Sequence, residues 1–299
     1  MIRTLFLLLT ATVGFTANLT ADPPRNCDAC EAWNRPREPF RVWGNTWFVG
    51  TQGLGSILIT SKAGHVLIDG GLPQSAPLIA ANIQKLGFKL EDIRLILNTH
   101  AHFDHAGGIA ALERASGAQV AASPKSKAAL ERGSPTEDDP QFAFGLERNR
   151  FPAVSGVREL HDGETLHVGD IVITAHFTPG HTPGGTSWTW AACEHNDCMA
   201  VAYMDSLNAV SAPGFHFTGD AKHESRVDEF RKSIDRVSHL ECGIALAPHP
   251  DQVDLDARVE KAHAAHVDHL DRDLDACRRY AEAASHHLDK RIAEEKAKQ

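Results

Sequence analysis

Apolar residues recur along the chain in short runs broken by turn residues, and the spacing within each run predicts its element. "NTWFVGT", "GSILITS" and "GHVLIDGG" read as consecutive strands joined by glycine-bearing turns. "SAPLIAANIQKLGF" puts Leu78, Ile79, Ile83 and Leu86 on one helical face. "IRLILNTH" is a nearly continuous apolar run and reads as a buried strand. "GGIAALERASG" predicts a short helix closed by Gly117, followed by a strand in "AQVAAS" and a helix in "KSKAALERG". This alternation predicts an α/β layered domain.

The region 133–156, rich in Pro, Gly, Asp and Phe, reads as a long surface loop beside a cleft. The pattern then restarts. "ETLHVGDIVITAHFTPGH" predicts a hairpin turning at Gly169-Asp170, and "TSWTWAA" and "MAVAYMDSL" predict two more strands. "ESRVDEFRKSIDRVSHL" is an amphipathic helix with Val227, Phe230, Ile234, Val237 and Leu240 on one side. "GIALAPHP" is a strand ending in a histidine, and a long helix is expected from about residue 255 to the end. Strands and helices thus come in two halves, each with histidine at a strand end, which suggests one site between two sheets.

Composition narrows the class. Of 299 residues, 42% are apolar and 23% charged, as in a globular protein. A formal charge of −9 argues against nucleic acid or an anionic membrane as partner. The opening "MIRTLFLLLTATVGFTANLTA" has one Arg, an apolar run too short to span a bilayer, and small residues. Residues 1–21 therefore read as a secretory signal peptide, leaving one domain over 22–299 with a polar, Pro-rich leader at 22–39. Six cysteines in an exported chain suggest disulfides. Local spacing favours Cys193–Cys198 as a loop staple, and Cys242–Cys277 would then tie a strand to the last helix. Cys27 and Cys30 form either a tight bridge or a Cys-x-x-Cys redox motif.

The chemistry concentrates in "THAHFDHAGG". Just past a predicted strand, His100 and His102 point the same way and can reach one metal, and Asp104 continues the alternation. His105 falls where the chain turns toward the helix at Gly107 and can face a second metal. The two glycines let backbone crowd the site. Imidazole with carboxylate suits zinc, and three protein ligands per ion leave a position open for catalysis. Two ions need about six ligands. His181 in "TPGHTPGG" and His249 in "LAPHP" complete the set from rigidly presented positions.

"HAHFDHAGG", "GHTPGGTSW" and "APHP" resemble the metallo-β-lactamase superfamily, and the absence of a cysteine ligand resembles subclass B3. The likeness runs from about residue 38 to 285 and includes "GLGSILI", "GHVLIDGGLPQSA" and "DSLNAVSAPGF". It implies a four-layered αβ/βα sandwich with two Zn2+ per chain at one edge. His100, His102 and His181 would hold the first ion and Asp104, His105 and His249 the second. Cys242 and Cys277 match the subclass disulfide. Ser206 matches a serine near the second ion. Where the family often has another serine for the substrate carboxylate, this chain has Asn208, with Ser211 close by. The implied activity is hydrolysis of the β-lactam amide of penicillins, cephalosporins and carbapenems by a zinc-bound hydroxide, with Asp104 orienting the nucleophile. A periplasmic, monomeric enzyme acting on small molecules and conferring antibiotic resistance follows.

Two rivals share the ligand set. A thioesterase of the glyoxalase II kind or a lactonase would need an aspartate bridging the ions, for which Asp205 and Asp220 are candidates. Export and disulfides argue against a glutathione thioester substrate. A non-enzymatic zinc-storage protein is the other rival, and the open coordination positions argue against it.

Overall fold

The computed structural model describes residues 19–195, 197–221 and 223–297. The signal stretch expected at 1–21 lies outside the described residues apart from its last three. A seven-stranded sheet takes in β1 (Phe40–Trp43), β2 (Thr46–Phe48), β3 (Ile57–Ser61), β4 (Gly64–Ile68), β5 (Ile93–Leu97), β6 (Gln119–Ala122) and β7 (Arg158–Glu159), in that spatial order. Its first four strands are antiparallel and the rest parallel. The second sheet runs β12 (Ile244–Leu246), β11 (Asp197–Tyr203), β10 (Thr186–Glu194), β9 (Ile171–Phe177), β8 (Thr165–Val168), parallel only between β11 and β12. The expected hairpin turns at Gly169-Asp170, between β8 and β9.

Strand alternation builds the layers. Ile57, Ile59, Val66 and Ile68 face inward to meet Ile173, Trp188, Trp190, Val201 and Tyr203 from the other sheet. The intervening Leu58 and Leu67 point outward to the helices α2 (Ala76–Lys85), α4 (Ile109–Ser116) and α5 (Pro124–Arg132). On the far side, Ala202 and Ala245 meet Phe230 and Val237 of α7 (Val227–Ser238) and Ala281, Ala284 and Leu288 of α9 (Ala276–Lys296). Helices, sheet, sheet, helices: this is the αβ/βα sandwich. On α2 the buried stripe is Ala76, Ile79, Ala80 and Ile83, with the expected Leu78 and Leu86 at its half-buried edge.

Two sequence expectations are corrected. The helix expected from 255 onward is two helices, α8 (Leu255–Ala264) and α9, joined by a non-helical link. The link caps the edges of both sheets. Leu270 N donates to Val42 O (3.1 Å) and Asp273 N to Gly243 O (2.8 Å). Leu270 is buried there, while Leu274 is 65% exposed. Covering two sheet edges outweighs continuing a helix. Region 133–156 is not simply surface. It contains α6 (Leu146–Asn149), and Ser134, Asp139, Asn149, Phe151 and Val154 are buried.

All three cysteine pairs are disulfides: Cys27–Cys30, Cys193–Cys198 and Cys242–Cys277. Among the described residues, no helix is long and apolar enough to cross a membrane. Closing 35 residues restricts the unfolded chain more than closing 5. Replacing Cys242 and Cys277 by serine is expected to cost ~4 kcal/mol, against ~2 kcal/mol for Cys193 and Cys198. Chemical denaturation midpoints of the two double variants check the order.

Candidate metal centre

The ligand-type residues lie just beyond the carboxyl ends of strands from both sheets, where open α/β sheets present their binding crevices. β5 leads to His100 and His102, β9 to His181, β12 to His249. The alternation expected to carry through Asp104 stops at His102, whose backbone is still extended (φ −97°, ψ 157°). Asp104 and His105 lie instead on the helical turn α3 (Phe103–Ala106), which lets one segment aim donors in two directions. Gly107 and Gly108 follow because backbone is close. A Cβ on Gly108 would stand 2.2 Å from Gly70 O, and one on Gly107 2.7 Å from Pro73 N.

His100, His102 and His181 bring ligand atoms within 4.8 Å of one another, and so do His100, Asp104 and His105. His249 joins through Asp104, whose Oδ2 lies 3.4 Å from Nε2 of both His105 and His249. The rings of His105 and His249 are 4.8 Å apart between centroids. All six predicted ligand residues thus converge. His100 Nε2 and both ring nitrogens of His105 are buried with no hydrogen-bond partner among the described residues. Leaving such atoms unpaired costs free energy. A donor set of imidazoles and a carboxylate, with unpaired nitrogens facing inward, is the chemistry that zinc takes.

The other nitrogen of four rings is tied to an oxygen. His100 Nδ1 donates to Asp205 Oδ1 at 2.8 Å, and His102 Nε2 to the Asp139 carboxylate at 3.1–3.2 Å. His181 Nδ1 donates to the Asn208 carbonyl at 2.7 Å, and His249 Nδ1 to the Gly53 carbonyl at 3.3 Å. Such partners set ring orientation and tautomer in metal sites.

The fold recurs in known proteins. The metallo-β-lactamase superfamily profile matches residues 56–193. The Rm3 metallo-β-lactamase is 46% identical, with a TM-score of 0.87 and coverage of 91% of this chain and 100% of that one. The chain belongs to the metallo-β-lactamase superfamily. A subclass B3 metallo-β-lactamase isolated from a soil metagenome library is also 46% identical, covering 89% and 100% at a TM-score of 0.85. MIM-1 of Novosphingobium pentaromativorans is 41% identical, covering 89% and 93% at 0.81. Curated relatives carry a different name within the superfamily. The hydroxyacylglutathione hydrolase of Rhodopseudomonas palustris is 29% identical over 64% of this chain and 66% of its own length. That of Maricaulis maris is 32% identical over 40% of this chain, which spans only 35% of it.

This metallo-β-lactamase-superfamily hydrolase holds its centre with residues that sequence reading missed. Asp139, in the supposed surface loop, carries no motif. Asp69 is a charge ending the apolar strand β4, a signal available in "LIDGG". Fully buried, with φ at 62°, it accepts from Asn98 Nδ2, Thr99 N and Thr99 Oγ1 at 2.8–3.0 Å and so fixes the backbone before His100. The leader contains α1 (Cys30–Trp33), whose Trp33 ring lies 5.2 Å from that of His249. Arg25 stacks 4.2 Å over Phe103 and donates to the carbonyls of Glu147 and Arg150, tying leader to loop.

Of the aspartates weighed as a bridge, Asp205 engages His100 through Oδ1 and keeps a buried Oδ2 with no hydrogen-bond partner among the described residues, and Asp220 is exposed and bonded to His223. Ser206 is buried, and its Oγ has no hydrogen-bond partner among the described residues. Asn208 is half-buried. Ser211 accepts from Arg291 at 2.6 Å.

For the protein chain alone, burial holds His100 well below its usual pKa, reinforced by His105, His181 and His102. Burial brings His181 down to about 3. Burial acts likewise on His102 and His249, but Asp139 and Asp104 respectively override it and both end raised. Burial opposes ionisation of Asp104, yet His105 and His249 keep its carboxyl well below the usual range.

Two outcomes follow. Asp139→Ala is expected to weaken zinc binding ~10–100-fold with the fold retained, measured by chelator competition and circular dichroism. The unfolded chain protonates His181 near its ordinary 6.5, the folded metal-stripped chain only near 3. Stability of chelator-treated protein should therefore fall as pH drops from about 6.5 toward 3. Burial pushes the Asp69 and Asp205 carboxyls up, which acts in the opposite direction, so the His181 contribution is read against His181→Ala. Thermal midpoints of the two proteins between pH 7 and 4 check the sign: the loss on acidification should be smaller in His181→Ala.

Proposed function

We propose that this chain is a subclass B3 β-lactamase that opens the β-lactam ring amide with two zinc ions. His100, His102 and His181 hold the first, and Asp104, His105 and His249 the second. The observation that carries the reading is at the end of β11. The Asp205 carboxylate is turned onto His100, and the next residue, Ser206, is a buried hydroxyl without a partner. Asp205 stands on the outer nitrogen of His100 and outside both clusters of ligand atoms, and so is not placed to bridge two ions as the aspartate of a thioesterase of this fold would be. Similarity to proteins named metallo-β-lactamase over nearly their whole length supports the same reading.

Bound there, zinc supplies Lewis acidity and a water nucleophile available near neutral pH. Asp104, kept ionised by His105 and His249, would help hold the second ion and orient the nucleophile. Ser206 and the Asn208 amide are the donors for the substrate carboxylate. Ser211 is the least available of the three, because Arg291 already engages it. Three disulfides support an oxidising compartment, the periplasm, reached through the signal at 1–21. The protein acts there as a monomer on small molecules and confers antibiotic resistance.

The second reading, a thioester hydrolase, is favoured by the names of the curated relatives. Hydrolysis of a cephalosporin and a carbapenem is measured beside a glutathione thioester and a lactone. The expected result is lactam turnover that a chelator abolishes and added zinc restores. Thioester turnover without lactam turnover would overturn the proposal.

A further inference from the structure

Behind the ligand cluster lies a group that no step above uses. Tyr280, on α9, is buried, and its hydroxyl meets the segment that follows β11 at two points. It donates to the Asp205 carbonyl at 2.8 Å and accepts from Leu207 N at 3.2 Å. Burial pushes the phenol above its ordinary pKa range, so the proton stays on oxygen. The Gln252 side-chain amide, at 3.2 Å, is the third neighbour.

The segment that Tyr280 grips carries two outer contacts of the first metal position. The Asp205 carboxylate takes His100 Nδ1, and the Asn208 carbonyl takes His181 Nδ1. These two anchors lie three residues apart, and the phenol oxygen is bonded at the first of them, 205, and at 207, next to the second. The other ties of α9 to this region lie further along: Arg291 to Ser211 and Phe215, and Glu295 to Phe217 and Thr218. His249 Nδ1 is held separately, by Gly53, and Tyr280 reaches its neighbourhood only through the Gln252 side chain.

We infer that Tyr280 is a positioning residue for the first metal: its hydroxyl fixes residues 205–208 and thereby aims His100 and His181 together. The inference rests on the ligand assignment proposed above. Losing the hydroxyl leaves the Asp205 carbonyl and Leu207 amide to find other partners, and both imidazoles lose their reference at once. The second position, built on Asp104, His105 and His249, keeps its own supports.

The test is zinc titration of the full chain against a competing chelator, comparing wild type with Tyr280→Phe. The two binding steps are assigned with His181→Ala and His249→Ala. Tyr280→Phe is expected to weaken the His181-dependent step ~10–100-fold and leave the His249-dependent step in place. Leu288→Ala, a buried apolar change on the same helix, controls for lost stability and should shift neither. Unchanged steps in Tyr280→Phe, or two steps weakened alike in both variants, would overturn the inference. Wild type that binds no zinc through His181 would bring down the ligand assignment instead. Should Tyr280→Phe not fold, the sequence offers a direct reading, since it has only two tyrosines, Tyr203 and Tyr280. In fluorotyrosine-labelled wild type, the Tyr280 fluorine resonance should move with the His181-dependent step. A resonance indifferent to that step would refute the coupling.

Discussion

An imidazole buried with its outward N–H unpaired is costly, so each must meet an oxygen placed for it. That requirement shapes the centre of this protein. His100, His102, His181 and His249 each give their outer N–H to an oxygen from one of three stretches of chain: Asp205 and Asn208 after β11, Asp139, and Gly53. Two are carboxylates and two are backbone carbonyls. The inward nitrogens are thereby left with their lone pairs facing one another, an arrangement that a divalent cation relieves.

Meeting that requirement enlists elements remote from the ligands. The two sheets pack through their inner faces and so bring the ends of β5, β9, β11 and β12 to one edge. Gly185 is small where it must be: a Cβ there would stand 2.2 Å from Asp205 Oδ2. The 133–156 region turns inward to deliver Asp139, and the leader follows it, because Arg25 binds carbonyls of that region while Trp33 packs beside His249. Helix α9, held by Cys242–Cys277, supports the segment after β11 from behind.

Much of this was legible in the chain. Period-two and helical spacing located the principal strands and helices, because those patterns reflect which face each element buries. The six ligand-type residues were legible because metal chemistry demands particular side chains at strand ends. The superfamily was legible as a resemblance carried by the motifs around them. Sequence periodicity failed where hydrogen bonding to distant backbone decided the conformation. The link between α8 and α9 has an apolar spacing compatible with a helix, but its amides serve Val42 and Gly243, at the edges of two sheets.

The residues around the ligands were not legible for the same reason. Asp139, Tyr280 and Trp33 act through His102, Asp205 and His249, 37 to 216 positions away in sequence, and nothing local marks them; Asp69 alone left a sign, a charge at the end of an apolar strand. By itself, then, the sequence determined which ligand-type side chains are available to the site, since donor identity is a property of side-chain chemistry. It also determined the layered class, since burial periodicity is local. Only the tertiary structure decided which way Asp205 turns, which oxygen orients each ring, and which buried hydroxyl stays unpaired. Those outcomes depend on the closest approach of segments that the chain keeps far apart.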